Sequence, residues 1–367
     1  LRIALIIERF EPGGGAENVA WAVAHRLADR GETVRVVART AHSSARVPVD
    51  LAGIPRSWQP LRVLAFSAAA ARRAPRGSVD VVHSFSRTRH QDVYRAGGGC
   101  HAAYLEQTHH RPAGGWRRFS PRHAVLLGME ERVFADTSQL VQCNSALVRD
   151  QIRARFAVPA DRLVVLPNGV DTERFHPRRR ASEGARLRGE LGAASGPVWL
   201  LVGSGLRRKG LDTALAAFAC VRKPGAELWV AGRDDPTPWR ALAERLGVGE
   251  QVRFLGPRSD LEAVYGAADA LLLPTRYDAF ANVCLEAAAA GLPVVTSAAN
   301  GAADALRDGT LVVDDAEDVR GFAGALEQLD DPSLRRRLGE AGRSIAETLG
   351  WDEHVRRLCD LYARVAA

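Results

Sequence analysis

Residues 274–295 read PTRYDAFANVCLEAAAAGLPVV and hold two acids, Asp278 and Glu286, with seven residues between them. The spacing predicts a loop through Asp278 and a helix from near Asn282 to Ala290, ended by Gly291. The first amides of that helix, at Ala281, Asn282 and Val283, have no partner within it and suit an anion. Glu286 falls about one turn in, on the face of Asn282 and Ala290. Alanines leave room beside it, so its carboxylate can accept two vicinal hydroxyls, as a ribose offers. Asp278, on the loop, can reach a sugar hydroxyl. A second stretch, GSGLRRKG at 203–210, sets Arg208 and Lys209 beside another helix start. Two cations and a helix dipole suit a diphosphate, and Gly203 lets backbone come close to it. Lys209 is one of only two lysines among 50 basic residues, which points to a need for a compact point charge. Plainer readings stand beside these: a solvated basic turn, and dipole compensation by Glu286.

The first half offers weaker groups. Gly13, Gly14 and Gly15 form a glycine-rich loop between a strand and a helix, where backbone can approach a phosphate or sugar. The run is not the G-x-G-x-x-G of a dinucleotide site. His83 ends a strand, and His101 follows the glycine loop RAGGGC; either can orient an acceptor, though a lone histidine is more often structural.

These residues need elements to hold them. RIALII (2–7) is a continuous apolar run, as in a strand buried on both faces. ERFEPGGG (8–15) follows as a loop, Ala16–Arg30 as a helix stopped by Gly31, and 33–38, 79–85, 140–144 and 163–167 as strands. Ser145 is an N-cap for the helix after LVQCN. Residues 168–185, with Pro177 and a charge run, read as a linker and a first short element. The pattern then restarts at VWLLVGSG, with strands at 226–232, 252–256, 270–275 and 293–297 alternating with helices. Alternation of this kind predicts an α/β architecture of two Rossmann-like, doubly wound parallel-sheet domains, residues 1–170 and 171–350, whose strand ends face a central cleft. In the tail, Trp351, Val355, Leu358, Tyr362 and Val365 fall at steps of three and four, an amphipathic helix over 351–367 that can pack back on the first domain.

A chain of 367 residues is long enough for two cores. The net charge of +7 is uneven: residues 1–170 hold 24 basic and 14 acidic residues, and 171–367 hold 26 and 29. The basic half suggests an anionic partner, a phosphorylated substrate or the anionic surface of a membrane, or else only an arginine-rich solvated face. Five cysteines, at 100, 143, 220, 284 and 359, show no metal or redox spacing and fit a reducing cytoplasm. No apolar run approaches the roughly 18–20 residues that span a bilayer. A nucleic-acid partner is not expected, because no recognition motif or aromatic stripe accompanies the charge.

The chain resembles glycosyltransferase family 4, retaining enzymes of the GT-B fold, along nearly its whole length. The resemblance rests on GGG (13–15), PNGVD (167–171), VGSGLRRKG (202–210) and the acid-x₇-acid motif with its EAAAAGLPVV tail. Within the family it looks most like the lipopolysaccharide core glucosyltransferase I group, through YRAGGGCHAAYLEQ and VGSGLRRKG. The resemblance implies a nucleotide diphosphate-sugar donor held mainly by the second domain, with Arg208 and Lys209 on the diphosphate, Glu286 on the ribose and Asp278 in place of the first acid, usually Glu. It implies a glycan or glycolipid acceptor held by the first domain, transfer of a hexose, glucose from a UDP donor, with retention, and no cofactor or obligatory metal. Ala281 stands where Gly is common, and Asn282 where an apolar residue is. These departures leave the sugar open. The implied place is the cytoplasm, peripheral to the inner face of the membrane. A nucleotide-sugar epimerase of the same fold is the alternative; it would release an altered donor without an acceptor.

Overall fold

The computed structural model describes residues 1–55, 58–108, 120–193 and 195–366. The chain divides into two compact units, Leu1–Gly169 with Trp351–Ala367, and Val170–Gly350.

The first unit is built on a seven-stranded parallel sheet: β1 (Arg2–Phe10), β2 (Thr33–Ala41), β3 (Val49–Leu51), β4 (Val81–Ser84), β5 (Val93–Arg95), β6 (Leu140–Cys143) and β7 (Leu163–Val165). Their order is β3-β2-β1-β4-β5-β6-β7. Ile3 pairs with Val34 on one side and Val81 on the other, so β1 and β4 flank the point where strand order reverses. Ligands of open α/β sheets bind beyond the carboxyl ends at such a point. Helices α1 (Gly15–Asp29), α2 (Gln59–Arg73), α3 (His101–Thr108), α4 (Pro121–Ala135) and α5 (Ala146–Arg155) connect the strands. Ser145 caps α5, its hydroxyl accepting from the Val148 amide. Strand β1 runs to Phe10, past the apolar run, because Arg9 and Phe10 still pair with Thr40 and Ala41.

In the second unit, β8 (Val198–Val202), β9 (Glu227–Ala231), β10 (Val252–Gly256), β11 (Ala270–Leu273), β12 (Val294–Ser297) and β13 (Thr310–Val313) form a parallel sheet in the order β10-β9-β8-β11-β12-β13. Its helices are α6 (Glu183–Glu190), α7 (Leu211–Val221), α8 (Thr237–Arg245), α9 (Leu261–Ala267), α10 (Asn282–Ala289), α11 (Ala302–Leu306), α12 (Val319–Gln328) and α13 (Pro332–Thr348). The central strands are wholly buried: Val198, Trp199, Leu200 and Leu201 on β8, and Leu271 to Leu273 on β11, are 0% exposed. Each such side chain stabilises the fold by about 1.5–3 kcal/mol.

The last helix, α14 (Trp351–Ala366), returns to the first unit. Val355, Leu358, Leu361 and Tyr362 share a core with Ile3, Leu5 and Ile7 of β1 and Val23 and Leu27 of α1. Among the described residues, no helix is long and apolar enough to cross a membrane.

Candidate functional site

In the second unit, the loops after β8 and β11 meet. Lys209 Nζ donates to Asp278 Oδ2 at 2.7 Å, and Arg208 Nη1 donates to the same oxygen at 2.9 Å. Arg208 also donates to the Tyr277 carbonyl at 2.9 Å. Burial pushes the Asp278 carboxyl up, but Lys209 and Arg208, by charge and by hydrogen bond, pull it further down. The net result lies below the ordinary carboxylate range, so Asp278 is ionised at neutral pH. The three groups carry a net single positive charge.

Backbone holds this cluster in place. The Arg276 amide donates to the Arg208 carbonyl at 2.8 Å, and Thr275 Oγ1 donates to the same carbonyl at 3.1 Å. Arg276 grips Asp212 through two bonds of 2.9 Å and Glu317 through one of 3.0 Å. The Gly205 amide is held by Asp234. Gly203 has φ 145°, and a Cβ there would stand 3.0 Å from Lys209 Cε, so this glycine leaves room for the lysine stem.

Helix α10 opens on Asn282 and Val283, with Ala281 at its N-cap. The expectation of a free amide at Ala281 is corrected: that amide donates to Asn300 Oδ1 at 3.2 Å. Asn300 also accepts from the Ala302 amide and donates to Thr296, and so ties the loop before α10 to β12. Glu286 is half-buried, and Tyr265 donates its hydroxyl to Glu286 Oε2 at 2.8 Å. Burial raises the Glu286 carboxyl above its usual value; the Tyr265 hydrogen bond and the charges of Arg174 and Lys209 oppose the rise. Burial and the Tyr265 hydroxyl thus set the state of this carboxylate.

In the first unit, Gly13 has φ 128°, and its amide donates to Asn18 Oδ1 at 2.8 Å. Gly14 is the N-cap of α1, and Gly15 its first residue. A Cβ on Gly14 would strike the Glu17 carboxylate, which Arg9 also holds. Beside this loop, at the carboxyl ends of β1 and β4, lies a cavity of about 350 Å³ lined by Glu8, Arg39, Arg62, Glu17, Phe85 and Ser86 among others. Glu8 joins two walls of it, accepting from Arg39 at 3.2 Å and Arg62 at 2.7 Å.

The histidines part company with the acceptor expectation. His83 is 0% exposed, with Nδ1 2.7 Å from the Tyr362 hydroxyl and its ring against Phe85. Burial and the nearby Arg95 hold its pKa well below the usual value. An acceptor cannot touch it; it anchors α14 instead. His101 is 6% exposed, stacked on Tyr104 and 3.1 Å from His123 Nδ1, and its amide donates to the buried Glu130.

Sequence reasoning missed Tyr265, Asn300 and Asp234, which position the named groups without standing in a motif. Thr275 and Arg276, within the stretch at 274–295, and Gly210, the last residue of GSGLRRKG, were missed although they lie in quoted segments.

Two family models match the chain, Glycosyltransferase Family 4 over residues 13–174 and Glycosyl transferases group 1 over residues 186–345. The chain is 31% identical to a D-inositol 3-phosphate glycosyltransferase of Salinispora arenicola, over 96% of this chain and 88% of that one. It is 27% identical to the lipopolysaccharide glucosyltransferase WaaG of Escherichia coli, over 98% of this chain and 94% of that one. A crystal structure of WaaG, described as a glycosyltransferase involved in lipopolysaccharide biosynthesis, superposes with a TM-score of 0.85 at 25% identity, covering 98% of this chain and 99% of that one.

Proposed function

Because the chain belongs to glycosyltransferase family 4, with the fold of the GT-B enzymes, we propose that it moves a hexose, glucose, from a UDP-sugar to a saccharide or glycolipid acceptor with retention of configuration. The observation that carries the reading is the meeting of Arg208 and Lys209 on Asp278. Two cations fixed before the reaction stabilise the charge that develops on a departing diphosphate, with no reorganisation at the moment of transfer. Glu286, at the opening turns of α10, takes the ribose hydroxyls, and the amides of Asn282 and Val283 face phosphate. Asp278 is a poor nucleophile, since its charge is held by both cations at Oδ2 and the Phe280 amide donates to Oδ1 at 3.3 Å. Same-face attack follows: the acceptor oxygen bonds to the anomeric carbon as the carbon–phosphate oxygen bond breaks, and the acceptor proton passes to the leaving phosphate.

Names of relatives support different acceptors, an inositol phosphate and a lipopolysaccharide. Both are polyhydroxylated, which supports the saccharide class. Positive charge concentrated in residues 1–170 supports an anionic membrane surface as a further partner; salt-insensitive sedimentation with anionic vesicles would count against it.

The test is transfer from UDP-, GDP- and ADP-glucose to a panel of core oligosaccharides and cyclitols, with the product's anomeric configuration read by NMR and each assay repeated in chelator. An α-linked product with UDP-glucose, undiminished by chelator, is expected. An epimerised donor released without any acceptor would replace this reading.

Tyr265→Phe tests the ribose assignment. Losing a hydrogen bond to a charged group costs about 1.5–3 kcal/mol, and the Glu286 carboxyl, freed of that bond, rises further. UDP affinity should therefore fall, and fall more at the more acidic of two pH values, since the raised carboxyl takes up its proton more readily there. Calorimetric affinities reduced by one factor at both pH values would argue against Glu286 as the ribose acceptor.

A further inference from the structure

Helix α2 is apolar on both faces. Its inner face, with Phe66, Ala69 and Ala70, shares a core with Ala4, Ile6, Val37 and Val82 of the sheet. Its outer face carries Trp58 at the N-cap, 58% exposed, then Leu61 at 57% and Leu64 at 38%. Exposed Ala65, Ala68 and Arg72 continue that face toward the C-terminal end. A surface helix ordinarily turns polar side chains to water. Here no polar residue stands on the exposed arc before Arg72. Six large hydrophobics are exposed among the described residues, and three of them lie on this one face. Such a concentration marks an interaction surface.

The order of side chains says what fits it. Large ones occupy the first half of the stripe and small ones the second. Leu61 and Ala68 are two turns apart on one line of the helix, about 5 Å either side of the midpoint between Leu64 and Ala65. An antiparallel second copy, related by a twofold axis through that midpoint, sets Leu61 of each helix over Ala68 of the other. Trp58 then comes beside Ala71 and Arg72 across the axis, where the guanidinium meets the indole face. Alanines let the helix axes close to about 8 Å. The stripe is complementary to itself, as a twofold interface requires.

An anionic bilayer fits this face less well. Arg62 is held by Glu8, Arg73 by Asp50 and Arg76 by Asp92. Arg72 is the one arginine on the exposed arc, and a single cation gives lipid little hold. The alanines offer a membrane little area to bury, but they are what a close helix pair needs.

We propose that the outer face of α2 is the interface of a homodimer, in which two copies pair antiparallel through Trp58, Leu61, Leu64, Ala65, Ala68 and Arg72. The same helix supplies Gln59 and Arg62 to the cavity at the ends of β1 and β4, so pairing braces one wall of it. The assignment does not depend on the reaction proposed above.

Sedimentation velocity of the full chain, from nanomolar to high micromolar concentration, should show monomer giving way to dimer. Leu61→Glu places an unpaired charge in both halves of the contact and should raise the dimer Kd at least roughly 100-fold. Ala68→Lys should do the same from the other side. Because Leu61 faces Ala68 across the axis, the Leu61→Glu, Ala68→Lys double variant sets opposite charges together twice. It should recover at least about tenfold of the loss. Val312→Glu, on β13, removes an exposed hydrophobic elsewhere and should leave dimerisation unchanged. All three positions are exposed, so circular dichroism should show every variant folded as the parent is. A monomer at every concentration, a dimer indifferent to Leu61→Glu, or a double variant as weak as the single ones would overturn the proposal. So would a monomer that sediments with phosphatidylglycerol vesicles and loses them in Leu61→Glu, which would give the face to lipid.

Discussion

Lys209→Ala should lower kcat roughly 10²–10³-fold, about 2.7–4 kcal/mol of barrier, as does removal of one preorganised donor from developing charge elsewhere. Lys209 is placed for this: its side chain is 8% exposed, its stem lies against Gly203, and its Nζ is 2.7 Å from Asp278. The cost in stability should be smaller. Breaking a buried pair costs about 3–5 kcal/mol when it strands a charge, but Asp278 keeps Arg208 at 2.9 Å and the Phe280 amide at 3.3 Å. The pH dependence separates the two effects. Asp278 has a depressed pKa in the folded chain. Its contribution to stability is therefore complete above the unfolded carboxylate value of about 3.9 and is lost as pH falls through the folded value. Without Lys209 the depression shrinks, so wild type and variant should differ in urea midpoint at neutral pH and converge in acid. Lys209→Arg keeps the charge but not the compact shape, and should recover only part of the rate. Normal turnover in Lys209→Ala would remove this residue from the reaction.

The placement of these groups, though not their meeting, was legible in the sequence, and the reason is local. Asp278, Arg208 and Lys209 sit on loops that follow strands, and a buried parallel strand announces itself by an unbroken apolar run. Two such loops after neighbouring strands, β8 and β11, must lie side by side at the carboxyl edge. What stayed hidden depends on distance along the chain. Tyr265 reaches Glu286 from another helix, Asn300 takes the Ala281 amide from beyond β12, and Arg276 finds Asp212 across 64 residues. None of these pairs has a spacing that periodicity can read. His83 failed for a different reason. A position at a strand end does not tell edge from core, and β4 is buried throughout, with His83 against α14, whose Tyr362 lies 279 residues away. Strand β1 was read short because Glu8 and Arg9 end the apolar run, although the backbone pairing continues. The polar residues that line the cavity are the ones that disguise the strand carrying them.

Gly210→Ala should damage the site without touching a reacting group. Gly210 has φ 75°, in the left-handed region, where a residue with a Cβ costs about 1–3 kcal/mol. A Cβ there would also stand 1.9 Å from the Pro274 carbonyl oxygen and 2.7 Å from its carbon. Neither atom belongs to a flexible side chain, so relief requires the two loops to separate. The bonds that join them, from the Arg276 amide and Thr275 Oγ1 to the Arg208 carbonyl, are then lengthened or lost, at about 1 kcal/mol each. Together these predict a loss of about 3–5 kcal/mol in urea denaturation. Because Arg208 and Lys209 ride on one loop and Asp278 on the other, whatever folded protein remains should bind UDP poorly. Gly189→Ala is the control. It lies inside α6, a Cβ there meets nothing within 4 Å, and it should stabilise the chain by about 0.5–1 kcal/mol. If Gly210→Ala and Gly189→Ala moved the midpoint alike, the close approach of the two loops would not be what holds the cations on Asp278. The ion pairs would then be responsible for bringing the loops together, rather than the reverse.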